Sequence, residues 1–117
     1  MGTTKHTRDG VMTAKIKLTP LSAPRELESS IIVVRDVKDT EKLYGCIAAA
    51  EYIPRNWAPV IFGKCVGAVI WAGGYLSHFA ILAREFNFPV FRSDREIPEG
   101  RHYAKIKEED GEWWMYV

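Results

Sequence analysis

The sequence is poor in cysteine. Cys46 and Cys65 are its only two, and with no C-x-x-C motif and no histidine pair nearby, neither a zinc site nor a disulfide framework is expected, which fits a reducing cytoplasm. It also lacks an excess of charge of either sign. Sixteen Lys and Arg face fifteen Asp and Glu, for a formal charge of +1, so no strong field exists to hold nucleic acid or an anionic membrane. The N-terminus, Met1 to His6, has no apolar run, and His6 stands where a myristoylation motif has Ser or Thr, so neither export nor a lipid anchor is expected. One long uncharged run, between Lys64 and Arg84, approaches the lower length limit of a membrane span. It contains Gly73-Gly74, Ser77 and His78, however, and reads as strand, turn and helix. Length excludes still more. The 117 residues leave room for one domain, so nucleotide, metal and second-substrate sites cannot each have a domain here, and any such chemistry is shared with other chains.

Residues 1–10 are polar and expected to form a disordered tail, with a single domain over 11–117. Met12, Ala14, Ile16 and Leu18 alternate with polar residues in the pattern of a half-buried strand, which Pro20, Ser22 and Pro24 are expected to break. Ile31 to Val34 reads as a strand covered on both faces. Asp39 is expected to cap a short helical turn ending near Gly45, before a strand over Cys46 to Ala50. A short helix follows, with Asn56 as N-cap, Pro59 in its first turn and Gly63 at its end. Val66 to Trp71 reads as a buried strand, Ser77 to Phe86 as a helix with Asn87 at its C-terminus, and Pro89 to Phe91 as a strand. Glu99-Gly100 and Asp110-Gly111 are expected to turn between final hairpin strands.

The chemistry lies at the strand-to-helix junction Gly73-Gly74-Tyr75-Leu76-Ser77-His78. Unpaired N–H groups of a first helical turn and the positive end of the helix dipole favour an anion, and glycines let the backbone curl around a phosphate. A neutral imidazole there can attack a phosphoryl group to give a phosphoramidate. On spacing alone, a tight turn with a histidine near a helix cap is the simpler reading.

The residues nevertheless resemble a family: Gly73, Gly74, Ser77, His78, Ala80, Ile81, Ala83, Arg84, Glu85 and Pro89 are similar to the motif of the phosphohistidine swivelling, or mobile, domain of the phosphoenolpyruvate-utilising enzymes. That family includes pyruvate phosphate dikinase, phosphoenolpyruvate synthase and rifampicin phosphotransferase. Upstream, Pro54-Arg55-Asn56-Trp57-Ala58-Pro59 resembles the family's Pro-Asp-Trp-Thr-Pro loop, and the likeness runs from about Ile31 to the C-terminus. It implies an α/β fold, a single three-layer β/β/α swivelling domain. By the same likeness His78 is the covalent carrier, and Gly73, Gly74, Ser77 and Arg84 stabilise the phosphate, with no metal on this chain. At 100° per residue Arg84 lies well round the helix from His78, so a structural ion pair is an equal reading for it.

The implied activity is that of one component of a phosphotransferase, inactive alone. ATP and Mg²⁺ are expected on partner subunits, an ATP-grasp nucleotide-binding chain, a phosphoenolpyruvate- or pyruvate-binding chain, or both. Neither nucleic acid nor a membrane is expected as partner. Phe79 departs from the family's small residue and is expected to narrow the approach to His78; Leu76 and Arg92 also depart. The competing reading is a non-catalytic interaction or regulatory module that keeps the swivelling fold. Trp113 and Trp114 are expected to pack rather than to stack on bases, and His6 and His102 carry no chemistry.

Overall fold

The computed structural model describes residues 14–117; the expected polar tail, Met12 at the head of the first strand and His6 lie outside them. Seven strands and two helices follow in the order β1 (Lys15–Ser22), β2 (Leu27–Val33), β3 (Ile47–Ala50), α1 (Ala58–Lys64), β4 (Gly67–Ile70), α2 (His78–Glu85), β5 (Val90–Ser93), β6 (Arg101–Glu109) and β7 (Glu112–Tyr116). The strands close in the order β1-β5-β4-β3-β2-β6-β7. From β2 through β3 and β4 to β5 the pairing is parallel, and every other pair is antiparallel.

The expected α/β mixture is present, but its arrangement is a closed seven-stranded barrel rather than three distinct layers. The seam is β1, where Leu18 pairs with Trp113 of β7 on one side and Ser93 of β5 on the other. That double pairing closes what would otherwise be one open six-stranded sheet and leaves no unpaired edge, which is how barrels avoid edge-to-edge association.

Period-2 alternation along the strands divides the apolar residues between two cores. Ile16, Leu18, Ile31, Val33, Ile47, Ala49, Val69, Phe91, Ile106 and Met115 fill the barrel. Their neighbours Ile32, Val34, Ala48, Ala50, Ala68 and Ile70 belong to a second core with Ile61 of α1 and Phe79, Ala80 and Ala83 of α2. The helices thus cover the parallel strands, and the alanines at facing positions leave room for a close approach at interior packing density.

Several local expectations change. Strand β1 runs through Pro20 to Ser22, with a register shift between them; pairing to β7 ends at Leu18, so the proline sits where only one neighbour remains. Asp36, not Asp39, caps the 3₁₀ turn Val37–Lys42, and Asp39 completes a reciprocal capping box. Asn56 lies inside a 3₁₀ turn, Arg55–Trp57, that leads into α1, while Pro59 is in the first turn of α1 and Gly63 within it, the C-cap being Cys65. Only Asp110-Gly111 turns a hairpin, with φ values of 55° and 83° that suit a type I′ turn. Glu99-Gly100 instead leads into β6, whose partners are β2 and β7, and the Gly100 carbonyl accepts from Val33 N at 3.1 Å.

Candidate active site

Parallel strands gather ligand sites at their carboxyl ends, and here the segments leaving β3 and β4 meet. Trp71 N and Ala72 N donate to Glu51 O at 3.3 and 2.7 Å, tying the two exits together. Between them lies a cleft of about 250 Å³ lined by Tyr52 to Arg55 on one side and by Ile70, Ala72, Gly73, Ser77, His78 and Phe79 on the other.

Helix α2 begins where its sequence demands. Ser77 is the N-cap, its hydroxyl oxygen accepting from Ala80 N at 3.3 Å, and its own N–H donates to Gly74 O at 3.0 Å to close the glycine turn. A serine cap of this kind stabilises a helix by about 1 kcal/mol. The hydroxyl proton remains available to a ligand. Gly73 holds φ at +81°, a left-handed conformation that a Cβ disfavours. The far end closes with a Schellman motif: Asn87 N donates to Arg84 O, Phe88 N to Ala83 O, and Asn87 takes φ 56°.

His78 is the first residue of α2 and is exposed. Its ring forms no hydrogen bond among the described residues, and the N–H groups of His78 and Phe79 have no acceptor among them either. An exposed imidazole, two free amides and a helix N-terminus therefore face the same opening, where negative charge is favoured.

The fold brings Gly73, Ser77 and His78 to one cleft, with Gly74 in the turn behind. Arg84 it places elsewhere. Its guanidinium lies 3.5 Å from the centre of the Tyr75 ring and donates to Leu21 O at 3.1 Å, making a cation–π contact and an anchor to β1 instead of an ion pair. It braces the glycine turn from behind. Phe79 also differs from expectation. Its ring is 2 % exposed and stacks on Phe62 at 5.4 Å, so its bulk fills the core between α1 and α2 and forms the cleft's inner wall.

Arg55, which sequence reasoning treated only as part of a loop, shares the cleft with His78. The signal for it was a cation in a loop whose family counterpart, Pro-Asp-Trp-Thr-Pro, has none.

Cysteine nucleophiles do not compete with the histidine. Both thiols are buried and unbridged, and burial, with Cys46 nearby, pushes the Cys65 thiol up to about 12, far from the thiolate that reactivity requires. Nε2 of His102 is held by the carbonyls of Pro98 and Glu99 at 2.9 and 3.2 Å. Trp113 packs at 5.3 Å from Phe91, and Lys15 Nζ lies 4.4 Å over Trp114. No described helix is long and apolar enough to cross a membrane.

Residues 43–100 match the family model of the PEP-utilising enzyme, mobile domain. The chain belongs to this family. The match takes in β3, α1, β4, α2 and β5 together with both walls of the cleft. It is narrower than the likeness traced from Ile31. Membership makes this mobile domain a swivelling domain of the kind found in phosphotransfer enzymes. No curated protein matches the chain.

Proposed function

We propose that this mobile domain is a stand-alone phosphohistidine carrier, a cytoplasmic subunit that takes a phosphoryl group onto His78 at one partner's site and delivers it at another's. The observation that carries this reading is the exposed, unpartnered His78 ring at the N-terminus of α2, beside free amides and an open cleft. A ring nitrogen of the neutral imidazole attacks phosphorus. The N–P bond forms as the bond to the leaving oxygen breaks, that oxygen keeps the electron pair, and the second ring nitrogen gives its proton to water. The Ser77 hydroxyl and the amides of His78 and Phe79 hold the incoming oxygens. Gly73 and Gly74 keep the backbone close, and Arg84 steadies the turn through Tyr75.

In this reading ATP and Mg²⁺ belong to an ATP-grasp partner, and the acceptor, pyruvate or another small molecule, belongs to a second partner. The described residues bring together no group of three or more His, Cys, Asp or Glu side chains able to hold a metal ion. In this reading the charge neutralisation that transfer from ATP needs comes with the partner, and the chain alone turns over no ATP.

The test is labelling with radioactive phosphate from ATP or phosphoenolpyruvate in the presence of a phosphotransferase partner and Mg²⁺. A phosphoramidate label is lost in acid and survives base. Acid-stable label on Ser77 would contradict the mechanism, and no label with any partner would favour a non-catalytic module.

A further inference from the structure

The cleft beside His78 contains one cationic side chain and no carboxylate. Arg55 supplies the charge. It is exposed, and its guanidinium has no hydrogen-bond or ion-pair partner among the described residues, only its backbone carbonyl accepting, from Ala58 N. The other arginines nearby are committed: Arg84 to Leu21 O and the Tyr75 ring, and Arg35, in the adjoining cleft, to Glu99 at 2.8 Å and Glu96 at 3.4 Å. An arginine without an ion-pair partner that lines the same cleft as a histidine and a serine hydroxyl, with no carboxylate in that lining, offers an oxyanion a cationic partner, although Arg55 also borders the apolar groove between α1 and α2.

We propose that Arg55 is the phosphoryl-binding residue of this carrier, its guanidinium gripping the oxygens of the group on His78 from the side of the cleft opposite Ser77. The inference rests on the carrier reading and adds to it the orientation of the group, which points into the cleft rather than outward. A planar guanidinium offers paired N–H donors at the spacing of two phosphoryl oxygens, and charge-assisted bonds of this type are about twice as strong as neutral ones. Space is sufficient. The cleft of about 250 Å³ holds several water-sized volumes of roughly 30 Å³ each, and a phosphoryl group has only four heavy atoms. Arg55 follows β3 and His78 follows β4, so the two strand exits that the backbone ties together also close on one ligand.

The experiment uses the full chain and potassium phosphoramidate, a small donor that transfers its phosphoryl group to histidine as its own P–N bond breaks and ammonia leaves. Tandem mass spectrometry follows the label at His78 separately from other histidines, and phosphorus NMR follows the titration of the bound group. Arg55→Gln should label His78 about tenfold more slowly, as for loss of one donor to developing charge. It should also raise the midpoint of the phosphoryl titration by about one pH unit, a tenfold change in proton affinity. Arg55→Lys should restore part of both. Arg92→Gln, which removes the same charge from an exposed position outside the cleft, should behave as the parent chain.

Arg55→Gln matching the parent in rate and midpoint would overturn the assignment and leave the carrier reading standing, as would Arg92→Gln reproducing the Arg55→Gln changes. No label on His78 in the parent chain would overturn the carrier reading and Arg55's role with it.

Discussion

Along β1, β6 and β7, exposed polar groups find partners. Lys15 lies 3.4 Å from Glu109 and Lys17 3.2 Å from Glu112, while the Tyr116 hydroxyl donates to Glu109 at 2.6 Å. At the carboxyl ends of β3 and β4 the opposite holds. The His78 ring and the Arg55 guanidinium have no partner among the described residues although both are exposed. The antiparallel side pairs its polar side chains with one another, each solvent-screened pair adding little, and closes the barrel. The cleft side is no less ordered, because α2 is capped at both ends and packed on the sheet, yet it leaves its reactive groups unsatisfied. Unsatisfied polar groups on a rigid support are what a binding site requires.

If the cleft side owes its rigidity to the core between the helices, Phe79 is where to break it. Phe79→Ala should lower unfolding stability by about 3–5 kcal/mol, as for other buried rings, measured from urea midpoints. A stable Phe79→Ala chain with faster labelling would restore the view of this ring as an obstacle to partners. The glycine pair sharpens the comparison at smaller scale. Gly73→Ala should cost roughly 1–2 kcal/mol because it forces a Cβ onto a left-handed residue. Gly74→Ala, at an ordinary φ with open space where its Cβ would stand, should stay within about 0.5 kcal/mol. Equal losses at the two positions would mean that the left-handed conformation of Gly73 does not set the turn.

The smallest effect concerns the capped 3₁₀ turn that follows β2. Hydrogen bonds from the backbone N–H groups of Arg35 and then Asp36 hold the Asp39 carboxyl below its ordinary value. Because the folded value is the lower one, the stabilisation is complete above the ordinary carboxylate range and is lost as pH falls through the folded value. The urea midpoint should therefore decline on acidification, and Asp39→Asn should remove part of that slope. An unchanged slope would show that other carboxylates dominate.

Local signals made the cleft half legible. Ser77 before an apolar helical stretch and Asn87 after it mark both ends of α2, and the glycine pair marks the turn. The burial of Phe79 was also encoded, since it precedes Ala83 by four residues and so shares its helix face. Barrel closure was not, because it depends on Leu18 pairing with both Trp113 and Ser93, a relation between distant segments that no local pattern carries. The surroundings of Arg84 were hidden for the same reason: its partners, Leu21 O and the Tyr75 ring, come from β1 and the glycine turn.

The most direct test is the intact mass of the parent chain and of His78→Ala after exposure to a phosphotransferase partner with ATP or phosphoenolpyruvate and Mg²⁺. His78 is exposed and makes no side-chain hydrogen bond among the described residues, so the substitution should leave stability within about 0.5 kcal/mol. The account predicts one acid-labile phosphoryl group on the parent chain and none on His78→Ala. A phosphoryl group that persists on folded His78→Ala would contradict it.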